Sequence, residues 1–331
     1  MSALTFTPSG IYCAAGDFYI DPWRPVDRAL ITHGHADHAR PGMGSYLATD
    51  LAAPVMRLRL GDIALDTIRY GETRVIGSAT VSFHPAGHVP GSAQIRVEVA
   101  GEAWVASGDY KVVDDGLSTP FEPVKCHSFI TESTFGLPVF RWQPQDVVAA
   151  ELNRWWAACA AAGKTAFLGC YALGKAQRLL TLLDPEQGPI LTHAAIENTN
   201  AVLRAQGLSL PDTIRADADL VPKDHPGAIV LCPPSAIGSA WARKFGLQDT
   251  GFASGWMALR GIRRRRAGDR GFVISDHADW TGLLDAIKAT SAENIYVTHG
   301  YTDIFSRYLN ENGWNAQVVP TEFGGEEEDA A

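Results

Sequence analysis

The segment "ITHGHADHARPG", residues 31–42, sets three histidines and an aspartate within six positions, in the pattern H-x-H-x-D-H. The whole chain has ten histidines, so this short segment holds a large share of them. The apolar run Ala29-Leu30-Ile31 ahead of it has the character of a buried strand, and Pro41-Gly42 marks the end of the loop. A loop rooted on a strand end keeps its side chains in place, and imidazole with carboxylate is a donor set suited to zinc or manganese. The alternative, a polar loop with accidental spacing, leaves this concentration of donors unexplained. The segment therefore favours a fold that presents ligands from strand ends.

Other donors occupy similar settings. His88 lies in the glycine-rich turn "PAGHVPGSAQ" just before a strand, and Asp109 closes "AWVASGDY". His277 and His299 close "GFVISDH" and "IYVTHG". Any one such histidine is more often structural, but together with H-x-H-x-D-H they supply the roughly seven or eight ligand positions that two adjacent metal ions need. His84, His127, His193 and His225 show no comparable setting. Two divalent ions about 3.5–4 Å apart suit in-line phosphodiester displacement, and a histidine outside the metal shell could serve the leaving oxygen.

The texture of the chain changes near Gln143. Before it come short strands with glycine and proline punctuation, at 28–32, 79–83, 93–99 and 102–107, and one short helix in "ATDLAAPVMRLRLG". After it helix and strand alternate. "PQDVVAAELNRWWAACAAAG" is helical, "KTAFLGC" a strand and "ALGKAQRLLTLL" a helix, and "PILTH" and "AIVLCPP" each introduce a further pair. That alternation predicts a parallel sheet with crossovers. Beyond residue 255 the strand-end histidines return, with helices expected at 280–290 and 302–313. The expected organisation is an α/β insertion, 143–253, inside one metal-binding domain formed by 1–142 and 254–331.

Composition bounds the function. With 331 residues, 46% of them hydrophobic and 20% charged, the chain has the balance of a globular protein. No stretch approaches the ~18 apolar residues of a membrane span, and "MSALTFTPSGIYCAAGDFYIDPW" lacks the features of a signal peptide. The five cysteines are scattered without a C-x-x-C pair, so a reducing, cytoplasmic setting is expected. The net charge of −9 argues weakly against nucleic acid, but the acids include the tail "GGEEEDAA". Opposite them stands the basic run "RGIRRRRAGDR", residues 260–270, which reads either as a phosphate contact or as a solvated strand edge or loop.

These residues resemble a known family. "HGHADH", "AGHVPGSA" and "SGDY" resemble motifs 2, 3 and 4 of the metallo-β-lactamase fold, and Asp21 in "YIDP" matches the aspartate of motif 1. "TES" at 131–133, "ISDHAD" at 274–279 and "VTHG" at 297–300 resemble motifs A, B and C of its β-CASP nuclease branch. The resemblance covers nearly the whole chain in the right order. "SGWMALRGIRRRRAGDRGFVISDHADW" looks most like the Artemis-like, bacterial ligase-associated DNA damage response exonucleases.

The resemblance implies an αββα metallo-β-lactamase sandwich with an inserted α/β β-CASP cassette. It implies that His33, His35 and His88 hold one divalent ion, zinc or manganese. Asp37, His38 and His299 would hold a second, with Asp109 bridging the two. Asp37, His277 and Glu132 would be catalytic, with His277 at the leaving group steadied by Glu132. Gly174 and Lys175 in "CYALGKAQRLL" would face a backbone phosphate at a helix start. Ser254 and Gly255 would let a terminal phosphate approach, with Arg264 and Arg266 alongside. The implied partner is DNA, hydrolysed from its 5′ ends in repair together with an ATP-dependent DNA ligase and a helicase, with no membrane involved. His299 is the residue expected of RNA-processing members of the branch, so an RNA nuclease is the second reading. A small-molecule hydrolase would not need the cassette, and a non-catalytic subunit would not keep every ligand.

Overall fold

Six short strands pair in sequence order at the start of the chain: β1 (Thr5–Thr7), β2 (Gly10–Cys13), β3 (Phe18–Ile20), β4 (Arg28–Leu30), β5 (Ser45–Thr49) and β6 (Leu65–Ile68). The computed structural model describes residues 2–266 and 268–321. Between β5 and β6 lies the expected short helix, α1 (Ala53–Leu60), with proline in its first turn, where a missing N–H leaves nothing unsatisfied. A second run follows: β7 (Thr73–Ile76), β8 (Ala79–Pro85), β9 (Ala93–Val99), β10 (Glu102–Ala106) and β11 (Ser128–Ser133).

The middle of the chain alternates helix and strand. It contains α2 (Gln145–Ala161), β12 (Thr165–Gly169), α3 (Lys175–Leu182), β13 (Ile190–Thr192), α4 (Ala194–Ala205), β14 (Ile214–Arg215) and β15 (Ile229–Cys232). Then come α5 (Ala240–Arg243), β16 (Gln248–Ala253), α6 (Arg260–Arg266) and β17 (Arg270–Phe272). The strands form one sheet of order β14-β13-β15-β12-β16-β17, parallel throughout. Apolar residues of α2 and α3 cover one face of it, around Leu168, Ile229 and Leu231.

One expectation is corrected in this region. The helix expected after "AIVLCPP" is reduced to four residues, because Gly238, at φ 75°, interrupts it. Residues 260–266 of the basic run form the helix α6, in keeping with the good helix propensity of arginine, while Arg270 lies on the edge strand β17.

The chain then returns to the second sheet through α7 (Trp280–Thr290), β18 (Asn294–Gly300), α8 (Thr302–Glu311) and β19 (Asn315–Val318). That sheet has the order β19-β18-β11-β10-β9-β8-β7. Side-chain alternation places the layers. Ile11, Ile20, Leu30 and Leu47 of the first sheet share a core with Val81, Phe83, Ile95, Trp104 and Ile130 of the second. The neighbouring residues point the other way: Ala29, Tyr46 and Ala48 pack on Met56 of α1. Val105, Phe129, Ile295 and Val297 pack on Leu283 of α7 and Phe305 of α8. Alternating burial on both sheets thus gives a helix–sheet–sheet–helix stack.

The chain divides into two compact units, one running to Arg141 and resuming at His277, the other Trp142–Asp276. The return point lies after Asp276 and not after residue 253. β17 pairs with β16, and Phe272 and Ile274 belong to the core of the inserted unit. Among the described residues no helix is long and apolar enough to cross a membrane.

Candidate metal centre

The H-x-H-x-D-H loop starts just past β4 and is held from several sides. Asp21, which follows β3, accepts the Thr32 N–H at 2.8 Å on Oδ1 and the Thr32 hydroxyl at 2.5 Å on Oδ2. Its Oδ2 also faces Nδ1 of His38 at 2.7 Å. A carboxylate on one ring nitrogen fixes the other as the acceptor, so Nε2 of His38 is left to face the site. Asp21 does this at φ 41°, a left-handed backbone that aspartate tolerates better than most residues. Arg59 of α1 donates to the Gly34 carbonyl at 2.7 Å, and Arg40 donates from Nε to the Asp37 carbonyl at 3.1 Å.

Three imidazoles meet at one point. Nε2 of His33 and Nε2 of His88 lie 3.1 Å and 3.2 Å from Nδ1 of His35. Oδ2 of Asp109 is 3.6 Å from the first and 3.7 Å from the second. Ligands of a tetrahedral zinc at 2.0–2.1 Å are about 3.3 Å apart, so this set is close to the spacing of a metal cage. Burial, then the neighbouring imidazoles of His38, His35 and His88, hold His33 well below the usual histidine range, which keeps it in the neutral form a metal requires.

Asp109 sits at the centre. It follows β10 through Gly108, where φ is 57° and a side chain would run into Thr32. Its Oδ2 is also 3.5 Å from Nε2 of His38, which in turn is 3.5 Å from Asp37. Oδ1 of Asp109 is buried and accepts no hydrogen bond; Nδ1 of His299 is 3.5 Å away. A buried carboxylate oxygen of this kind fits a cation. Burial opposes ionisation of Asp109, but His38, His277 and His299 outweigh it and hold the carboxyl well below the usual range. Burial likewise opposes a charge on His38, yet Asp37, Asp109 and Asp21 hold it well above the usual histidine value.

Among the described residues the donors converge in four groups: His33, His35, His88 and Asp109; His33, Asp37 and His38; His38, Asp109 and His299; and Asp109, Glu132 and His277. The expected second set of Asp37, His38 and His299 is thus spread over two overlapping groups. Glu132, on β11, accepts the Tyr110 N–H at 2.7 Å on Oε1 and the Thr134 hydroxyl at 2.6 Å on Oε2. The same Oε2 lies 2.7 Å from Nδ1 of His277. The His277 and His88 rings are 4.5 Å apart between centroids.

The residues expected along a phosphate path do not gather in the same way. Lys175 is not exposed at a helix start but fully buried, with Nζ 3.4 Å from Asp276. The Gly174 N–H is taken by Oε1 of Gln177 at 2.8 Å, so the helix start is closed by its own side chain. Ser254 and Gly255 are buried in the turn after β16, where the serine hydroxyl accepts the Trp256 N–H at 3.2 Å. Arg264 is exposed on α6, and the side chain of Arg266 lies outside the described residues.

Several supporting residues escaped the sequence reading. Thr32, Arg40, Arg59 and Thr134 act on functional side chains or on their loop, from positions that carry no metal-ligand signal of their own. Asp279 of "ISDHAD" did carry a signal, since it caps α7 by accepting the Gly282 N–H at 2.8 Å.

The chain is similar to several curated proteins. It is 29% identical over 314 residues to a probable DNA ligase of Opitutus terrae, a match covering 94% of this chain and 30% of that one. It is 33% identical over 134 residues to endoribonuclease ysh-1 of Neurospora crassa, covering 38% of this chain and 15% of that one. With endoribonuclease YSH1 of Mycosarcoma maydis it shares 27% identity over 202 residues, 49% of this chain and 22% of the other. The chain therefore spans less than a third of these relatives' lengths. No family model matches. Among solved structures, a protein of unknown function from Enterococcus faecalis V583 has a TM-score of 0.61 over 90% of this chain and 80% of that one. At 11% identity it shows likeness of fold alone. The curated relatives thus include endoribonucleases and a probable DNA ligase, and the described residues of this chain bring together donor groups that could hold metal.

Proposed function

We propose that the chain is a dinuclear-metal-dependent exonuclease that hydrolyses phosphodiester bonds of DNA, from 5′ ends, in repair. The observation that carries this reading is Asp109, which belongs to the histidine cage, to the His38–His299 group and to the Glu132–His277 group at once. On this reading His33, His35 and His88 hold one ion, Asp37, His38 and His299 the other, and Asp109 both. Two zinc or manganese ions there would supply Lewis acidity, making water nucleophilic near neutral pH and neutralising charge on the phosphate.

The protein's own part is positioning and proton transfer. Glu132 accepts from Nδ1 of His277, and in the protonated ring Nε2 can then give a hydrogen bond or proton to the leaving oxygen. Asp37, half-buried beside His38, serves with the second ion. The exposed Arg264 meets the phosphates, and the turn at Ser254-Gly255 follows β16. Gly174 and Lys175 drop out of this path because both are enclosed.

DNA is favoured as substrate because the match to a probable DNA ligase spans nearly the whole chain. The sequence resemblance implies work alongside an ATP-dependent DNA ligase and a helicase. All five cysteines are unbridged, in keeping with a cytoplasmic setting. A second reading, an RNA nuclease, is favoured by His299 near Asp109 and by the endoribonuclease relatives. End-labelled DNA and RNA of matched sequence, single- and double-stranded, with zinc and manganese compared, decide between them. Shortening of DNA from its ends is expected. Cleavage of RNA alone would favour the second reading, and cleavage of neither would contradict both.

A further inference from the structure

β18 should not deliver His299 to the metal centre. Along this strand Ile295 and Val297 point into the core beneath α7 and α8, while Tyr296 packs on the core between the sheets. Continued alternation would send His299 with Val297, away from Asp109. The pairing with β11 changes at this point. Glu132 opposes Thr298, but Ser133 opposes Gly300, so His299 is the extra residue of a bulge. Its φ is 57°, a left-handed conformation uncommon outside glycine, and the resulting turn brings Nδ1 to 3.5 Å from Asp109.

Ser133 closes this bulge. Its hydroxyl lies 2.6 Å from the His299 carbonyl and 3.3 Å from that of Thr298, donating to the pair. Its own carbonyl accepts the Tyr301 N–H at 3.0 Å. Gly300 follows at φ 89°, packed so closely on the Ser133 backbone that a Cβ would collide with it. Ser133 is fully buried and touches no other member of the donor groups in these bonds.

We propose that Ser133 is a positioning residue, which holds the bulge that turns His299 from the helix side of the sheet to the second ion. The inference rests on the dinuclear reading above. Without the hydroxyl, the strained bulge loses its side-chain bonds to the His299 and Thr298 carbonyls and keeps the backbone bond from Tyr301, and His299 loses its aim at the site. Partners that orient a ligand in this way are commonly worth about 10–100-fold in metal affinity.

The test is zinc titration of the full chain, with metal content per chain measured after dialysis. Wild type should bind two zincs. Ser133→Ala should keep the one held by His33, His35 and His88 and bind the second at least about tenfold more weakly. Ser133→Thr, which keeps the hydroxyl, should restore it. Gly300→Ala strains the same bulge from the other strand and should act like Ser133→Ala. Circular dichroism identifies which variants are folded. Two zincs at wild-type affinity in either folded variant would overturn the role of Ser133, with the metal reading intact. A wild type that binds no zinc would overturn the dinuclear reading itself.

Discussion

Nδ1 of His277 lies 2.7 Å from Oε2 of Glu132, and the other oxygen of that carboxylate is fixed at 2.7 Å by the Tyr110 N–H. This geometry makes His277 a held imidazole, with its outer nitrogen directed by a carboxylate, more than a member of the metal cage. His277→Ala should therefore keep its metal and lose about 10²–10⁴-fold in cleavage rate, the usual scale of acid–base help. Metal content measured beside single-turnover rates checks both parts. Loss of an ion would make His277 a ligand.

Asp21 acts through His38. Removing the carboxylate in Asp21→Ala frees Nδ1 of His38 and unties the Thr32 hydroxyl, so affinity for the second ion should fall about 10–100-fold. Chelator competition against wild type measures it. Equal affinity would mean that the loop is held adequately by Arg40 and Arg59.

The two cages should differ in their response to acid. A metal needs a neutral ring nitrogen, so a bound proton competes with it. Burial and the adjacent imidazoles push the pKa of His33 down, and no proton competes there at neutral pH. At His38 burial is outweighed by Asp37, Asp109 and Asp21, which push the pKa up, so the proton competes above the ordinary value of about 6.5. Below the raised pKa each pH unit weakens the ion about tenfold. Zinc beside His38 should leave first as pH falls, and zinc in the His33 cage later. A stepwise pH titration of zinc release checks this, and release of both ions in one step would contradict it.

Lys175 and Arg264 should behave in opposite ways. Lys175 is enclosed with Asp276 at 3.4 Å, so Lys175→Ala leaves a buried carboxylate with less compensation and should cost about 3–5 kcal/mol of stability. The salt dependence of its DNA binding should match wild type. Arg264→Ala, at an exposed position, should hardly change stability, but should weaken DNA binding and flatten its salt dependence, because fewer counterions are released. An unchanged slope in the Arg264 variant would move the phosphate path elsewhere on the inserted unit.

The converging histidine and aspartate donors were legible because each comes from a residue type with few structural uses, set next to an apolar strand. His33, His88, Asp109 and His299 could be picked out in this way. The alternating sheet of the inserted unit was legible from its regular texture. What escaped has a common cause. Whether Lys175 faces solvent depends on Asp276, 101 positions away by subtraction of their numbers, and no local pattern records such a pair. The end of the inserted unit was misplaced because "GFVIS" pairs through Phe272 with Ala253, a contact that apolar character alone does not specify. The bulge at His299 has only Gly300 as a local sign.

Metal content per chain tests the central claim most directly. Wild type dialysed under metal-replete conditions should hold close to two divalent ions. Asp109→Ala should be deficient in both, since Asp109 stands in the His33–His35–His88 group and the His38–His299 group alike. Two ions in wild type and neither retained tightly in the variant is the predicted result. One ion or none in wild type, or a variant that keeps both at full affinity, would contradict a dinuclear centre bridged by Asp109.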